Sequence, residues 1–161
     1  MRTETPDGNE AWRISPLEYR RADAEKVAAW IASEWGRLPI HEYFLAMGRG
    51  DAWASLLPRT LVAHVGRDAV GTVSVLLNDL ETRPEFNPWL GCLYVERSWR
   101  GRGIGMDLLR AAEMMASSQL SITRLYLFTD SQADLYARHG WSAFDHDVYL
   151  KKPVSLMTKR L

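Results

Sequence analysis

Apolar residues recur along this chain with two different periods, and the switches between them divide it into segments. Arg13 to Leu17 reads as a short first strand that ends around Pro16. From Arg21 onward, Ala24, Val27, Ala28, Ile31 and Trp35 fall at helical spacing, and Gly36 followed by Pro39 stops the helix. A second helical stretch is expected from His41 to Leu57, interrupted at Gly48-Arg49-Gly50 and ended by Pro58. Thr60 to Val65 and Val70 to Leu77 are strand-like, with Gly66-Arg67-Asp68 between them, so they read as a hairpin. Asn78 to Pro88 carries prolines and charges and is expected as a loop.

The second half repeats the alternation. Trp89 to Val95 is an apolar strand candidate, followed by a glycine-rich turn and a helix whose stripe is Ile104, Leu108, Leu109, Ala112 and Met115. Ile122 to Phe128 reads as a strand and Ser131 to His139 as a short helix closed by Gly140. Trp141 to Leu161 reads as two final strands separated around Lys151-Lys152-Pro153. The order is strand, two helices, three strands, helix, strand, helix, two strands. A mixed sheet with helices on its faces is the architecture that buries these stripes.

Composition narrows the function classes. With 161 residues, the expectation is a polar tail over 1–10 and one domain over 11–161. The 20 basic and 20 acidic side chains cancel, so the basic excess of a nucleic-acid binder is missing. One cysteine, Cys92, excludes an internal disulfide and suits a reducing compartment. Met1 to Glu10 holds no apolar signal segment, and runs such as Val73 to Leu77 are too short to span a bilayer. The expectation is a cytoplasmic protein without nucleic-acid or membrane partners. His41, His64, His139 and His146 show no metal-ligand spacing with one another or with Cys92, so no metal is expected.

The chemistry-bearing segment is Arg97-Ser98-Trp99-Arg100-Gly101-Arg102-Gly103-Ile104-Gly105, between a strand and a helix. Glycines let the backbone approach an anion closely, and the first amides of the following helix lack internal partners. With the positive end of the helix dipole and the nearby Arg100 and Arg102, these make a phosphate cradle. A tight strand-to-helix turn with solvated arginines is the plain alternative. A dinucleotide-binding loop fits poorly. The glycines alternate at 101, 103 and 105, and Met106 stands where that fingerprint needs glycine or alanine.

Leu93-Tyr94-Val95 followed by Arg100-Gly101-Arg102-Gly103-Ile104-Gly105 resembles the signature of the GCN5-related N-acetyltransferase (GNAT) superfamily. Arg100, Gly103 and Gly105 match its fixed positions. A second block is similar to the superfamily's later strand and short helix. It runs Leu125-Tyr126-Leu127-Phe128-Thr129, then Leu135-Tyr136-Ala137-Arg138-His139-Gly140-Trp141. Val154 to Leu161 looks like the superfamily's last strand, so the resemblance spans essentially the whole chain. Ser33-Glu34-Trp35, Asn78-Asp79 and Pro88-Trp89-Leu90 look most like a bacterial-type branch. The fold implied is an α/β (α+β) GNAT fold, a mixed, mostly antiparallel sheet of six to seven strands flanked by four helices.

The resemblance also implies roles. The backbone of Leu93, Tyr94 and Val95 would bind the pantetheine arm of acetyl-CoA as co-substrate. Residues Gly101, Arg102, Gly103, Ile104, Gly105 and Met106, with Arg100, would hold its pyrophosphate, and Gln132 would contact it farther along. Tyr136 would be the acid that protonates the departing thiolate. A phenol of pKa about 10 is protonated at neutral pH, and the thiol it serves titrates near 8.5. Packing beside Leu135 is the structural reading of the same residue. Cys92, on an apolar strand with no histidine nearby in sequence, reads as packing rather than as a nucleophile.

The acceptor side is less sharply written. Trp35, Asp79 and Trp89 fall where this fold lines its acceptor, and the first and last of these also suit core packing. Asp79, Glu81 and Glu96 lie near strands that could carry a general base, and each also reads as a solvated loop acid. The implied activity is acetyl transfer to an amine of a small molecule or peptide by direct attack. A non-catalytic acetyl-CoA-binding domain is the alternative. Relatives often pair through sheet edges or C-terminal strands, which would make this chain a homodimer.

Overall fold

The computed structural model describes residues 11–161, and the tail expected over 1–10 lies outside them. Among the described residues there are seven strands: β1 (Arg13–Pro16), β2 (Arg59–Val65), β3 (Asp68–Leu76), β4 (Trp89–Val95), β5 (Arg124–Thr129), β6 (Ser142–Tyr149) and β7 (Lys152–Arg160). The four α-helices are α1 (Ala24–Trp35), α2 (His41–Arg49), α3 (Ile104–Leu120) and α4 (Ala133–Ala137). The strands follow the order β1-β2-β3-β4-β5-β7-β6. The sheet is mixed. β4 and β5 are parallel, paired at Trp89↔Tyr126, whereas β1–β2, β5–β7 and β6–β7 are antiparallel. The expected fold class holds.

The chain forms two compact units, one of residues up to Ser74 with Cys92–Ala112, the other of Val75–Gly91 with Glu113–Leu161. In the first unit, α1 and α2 bury Val27, Ile31, Phe44 and Met47 together with Leu17 and Val62. Each large apolar side chain buried this way contributes about 1.5–3 kcal/mol relative to exposure. Trp30, outside the α1 stripe read from sequence, is also in this core, with its ring 5.1 Å from that of Tyr94. In the second unit, Leu76, Leu80, Trp89, Val154 and Leu156 form the core, and Phe86, Tyr126, Phe128 and Tyr149 pack against it.

Most boundaries shift by one to three residues, β5 to Arg124–Thr129 and α4 to Ala133–Ala137 among them, and two larger differences have local reasons. The second helix ends at Arg49 rather than running on to Leu57. Gly50 takes a left-handed conformation with φ 76°, and its N–H caps the carbonyls of Ala46 and Met47. Residues 51–56 beyond it are exposed, so no apolar stripe draws them back into a helix. The final turn falls at Leu150-Lys151, both with positive φ, rather than around Pro153. Pro153 sits in β7 opposite Val148, and pairing with β5 starts only at Ser155. The proline's missing N–H therefore leaves no rung of that ladder empty.

Candidate active site

The glycine turn opens α3 as the sequence suggests. Gly101 and Gly103 have φ of 76° and 95°, a region where side-chain-bearing residues are strained. A β-carbon built on either would meet no atom within 4 Å, so glycine is required by conformation and the space above the turn is open. Ile104 is 1% exposed and anchors the turn through its side chain, which leaves its backbone amide as the group for a ligand. The Asp107 N–H bonds back to Gly103 O at 3.1 Å, and the amides just before it lack such helical acceptors. Open space, unpaired amides and the positive end of a 17-residue helix suit an anion such as a pyrophosphate.

Both arginines of the turn lie against aromatic rings. Arg100 donates from Nε to Val95 O at 2.7 Å, and its guanidinium lies 5.4 Å from the Tyr94 ring. Arg102 lies 4.6 Å over the Trp99 ring. Both side chains are exposed, with their charge available at the turn. Behind the turn, Asp107 is buried and accepts a hydrogen bond from Trp12 Nε1 at 3.0 Å.

β4 carries the expected pantetheine strand. The Glu96 N–H is spent on Val70 O at 2.8 Å, so alternation along the strand turns the Val95 N–H away from β3. A β-carbon at Gly71 would stand 3.0 Å from Tyr94 O and 3.1 Å from Leu108 Cδ1, so glycine lets β3 and α3 close on this strand. Cys92, with φ 53°, breaks the strand's alternation just before Leu93. It is 7% exposed within the first unit's core, which fits the packing role.

Tyr136 lies on α4, with its ring 6.3 Å from that of Trp141. Burial raises its phenol above the ordinary value, so it holds its proton throughout the neutral range. Gln132 is the exposed N-cap of α4. Its N–H bonds Thr129 Oγ1 at 3.0 Å, and its carbonyl accepts from the Tyr136 N–H at 3.1 Å. Gln132 thus helps fix the helix that carries Tyr136.

The three acceptor-side residues fare differently. Trp35 is half-buried and packs on the first unit's core. Trp89 is 0% exposed, and its Nε1 donates to Phe86 O at 2.6 Å, so its placement is that of a core residue. Asp79 is half-buried as a residue, but its carboxyl group is enclosed. Burial alone pushes its pKa up to about 7. Of the other candidate bases, Glu81 is exposed, and Glu96 lies 3.9 Å from Lys26 on the surface.

Gly91, which sequence reading passed over, is the partner that explains Asp79. A β-carbon there would stand 2.5 Å from Asp79 Oδ2, so the carboxyl rests against the bare backbone of β4. An isolated glycine inside an apolar strand is the sequence signal for such an approach. Among the described residues no group of three or more metal-ligating side chains is gathered, and no helix is long and apolar enough to cross a membrane.

A family model described as an acetyltransferase (GNAT) domain matches residues 57–143, from the end of the loop before β2 into β6. Solved structures share the fold. An acetyltransferase of the GNAT family from Streptococcus pneumoniae superimposes with a TM-score of 0.69 at 20% identity, covering 93% of this chain and 99% of its own. A variant of the spermidine N-acetyltransferase of Vibrio cholerae gives 0.72 at 14% identity, covering 92% and 93%. A GNAT family acetyltransferase from Elizabethkingia anophelis, solved with acetyl-CoA bound, gives 0.51 at 16% identity, covering 65% and 76%. At these identities the likeness is one of fold. No curated protein matches the chain in sequence.

Proposed function

The chain belongs to the GNAT acetyltransferases, and from that premise we propose that it moves an acetyl group from acetyl-CoA to a primary amine of a small molecule or peptide in the cytoplasm. The observation that carries this reading is the turn Arg100–Gly105. It has two glycines at positive φ, open space above them, and free amides at the head of a long helix. The neighbours bear on the two halves of the reaction. One was solved with acetyl-CoA bound, and another is named for spermidine, an amine.

Acetyl-CoA, when bound, supplies the activated thioester. The residues of this chain supply position and protons. The amides of residues 103–106 and the charge of Arg100 and Arg102 would hold the pyrophosphate, and the Val95 N–H, turned away from β3, would be free to bond the arm or the thioester oxygen. Tyr136 donates the proton that the departing thiolate needs. Burial makes this phenol a weaker acid than in water. Direct attack needs no covalent intermediate, consistent with the packing role of Cys92.

Thermal unfolding with acetyl-CoA, CoA and NADPH tests the cofactor half. A ligand that binds only the folded state adds about 2.7 kcal/mol at a hundredfold excess over its Kd. The expected result is a shift with both CoA ligands and none with NADPH. CoA release in the presence of amines then tests turnover. Binding without turnover of any amine in a broad panel would favour a non-catalytic acetyl-CoA-binding domain.

A further inference from the structure

Asp79 is an acid with nothing to do in the fold. It follows β3 in the loop that runs to β4, and its carboxyl is enclosed against Gly91. No described residue makes a hydrogen bond or ion pair with that carboxyl. Enclosing a carboxylate without a partner is among the costlier things a fold does, so such groups mark sites that a ligand completes.

The loop around it is held firmly. On one side of Asp79, Leu80 is 3% exposed and packs with Trp89 in the second unit's core. Farther on, Arg83 donates from Nε to Asp147 Oδ2 at 2.9 Å, from Nη1 to Asp145 Oδ2 at 2.7 Å, and from Nη2 to His146 O at 2.9 Å. Thr82 Oγ1 adds a bond to Asp147 Oδ2 at 2.7 Å. Arg83 is thus committed to β6 and does not neutralise Asp79, while Glu81 and Glu85 are exposed. The core that Leu80 joins is lined by Tyr126, Tyr149 and the aromatic rings of Phe86, Trp89 and Phe128. Desolvation is accordingly the only cause of its shift.

We propose that Asp79 is the general base of the acetyl transfer, taking a proton from the acceptor's ammonium group so that the neutral amine can attack. The assignment rests on the acetyltransferase reading above. It is supported by Gly91, which places the carboxyl on β4 two residues before the Leu93–Val95 run.

The proton balance closes. The ammonium gives one proton to the Asp79 carboxylate. The amine nitrogen then forms a bond to the acetyl carbon, the C–S bond breaks, and the electron pair leaves on sulfur. Tyr136 gives its proton to that thiolate and regains one from the nitrogen of the new amide. The Asp79 proton passes to water before the next cycle. Raising the carboxyl from 3.8 to about 7 makes it a better acceptor of an ammonium proton by roughly a thousandfold. It also leaves the group about half ionised at pH 7, where a general base is most useful.

The test uses the full chain, its isosteric variant Asp79→Asn, and two probe amines, spermidine and a short peptide with a free α-amino group. Acetyl-CoA binding is first measured by thermal shift in both proteins. If the wild type shows none, the acetyltransferase reading fails and the base assignment falls with it. With binding intact, the expected result is a kcat about a hundredfold lower in Asp79→Asn, the KM for acetyl-CoA changing less than twofold. The rise of wild-type activity through pH 7 should vanish in the variant. The deficit should be larger for the high-pKa polyamine than for the α-amine, a dependence that misfolding does not produce. An Asp79→Asn protein that keeps its kcat and its pH profile overturns the proposal. Asp79→Glu, with the charge retained on a longer arm, provides the second reading. Restored pH dependence at reduced rate supports a base, and a profile as flat as that of Asp79→Asn at equal rate counts against one.

Discussion

Trp12 and Asp107 form a buried hydrogen bond, Nε1 to Oδ2 at 3.0 Å, that ties the residue just before β1 to the first turn of α3. The pair spans 95 positions of sequence and meets directly behind the glycine turn. Asp107 also gains from its place near the positive end of the α3 dipole, and Arg110 stands 3.8 Å away.

Replacing Trp12 with Phe removes the donor and leaves a buried carboxylate short of a partner. The expected cost is about 1–3 kcal/mol of stability, read as a lower denaturation midpoint. Asp107→Asn in the Trp12→Phe background should cost less than the two single changes added together, because the unpaired charge is gone. Additive losses would show that the indole contributes only by packing.

Gly103 tests the cradle in a different way. At φ 95° an alanine is strained by about 1–2 kcal/mol, although its β-carbon would meet no atom. The turn then either bears the strain or relaxes and turns its amides. Gly103→Ala should therefore weaken acetyl-CoA binding by roughly 5- to 30-fold, measured by titration calorimetry, with only a small drop in Tm. Unchanged affinity would mean that the turn serves packing alone.

Asp79 makes stability depend on pH in a direction opposite to that of most carboxylates. The folded protein holds this proton up to about pH 7, and an unfolded chain loses it near 3.8. Between these values the folded state binds more protons, so this group's contribution falls as pH rises and the penalty is complete above pH 7. The full penalty is roughly 4 kcal/mol at most. Asp79→Asn should match the wild type in urea denaturation at pH 4 and exceed it increasingly toward pH 8. An advantage that did not grow with pH would show the carboxyl to be well solvated.

Much of this fold was legible because its signals are local. β4 runs from Trp89 to Val95 as its apolar run implies, and the stripe of Ile104, Leu108, Leu109, Ala112 and Met115 is buried along α3. The glycine turn announces itself through residues that few other conformations require. What the sequence did not show is set by contacts between distant segments. Asp79 reads equally as a solvated loop acid until the bare backbone of Gly91 is found against its carboxyl, and the sequence leaves Trp89 between acceptor wall and core until its ring is found buried. Trp12 gives no local sign of its bond to Asp107.

Tyr136 offers the most direct check on the chemistry. Its phenol is raised by burial above the ordinary value, so it keeps its proton through the neutral range. Tyr136→Phe removes only the hydroxyl and keeps the edge-on contact with Trp141, 6.3 Å between ring centres. Loss of a general acid typically costs about a hundredfold or more in rate. The expected variant binds acetyl-CoA as well as the wild type, folds normally, and shows that loss in kcat. Its rate should still rise through pH 7, because that limb belongs to Asp79 and not to the phenol. A Tyr136→Phe protein with full kcat would remove the acid role while leaving the base assignment standing, and loss of the pH 7 limb in this variant would argue that the two residues titrate together.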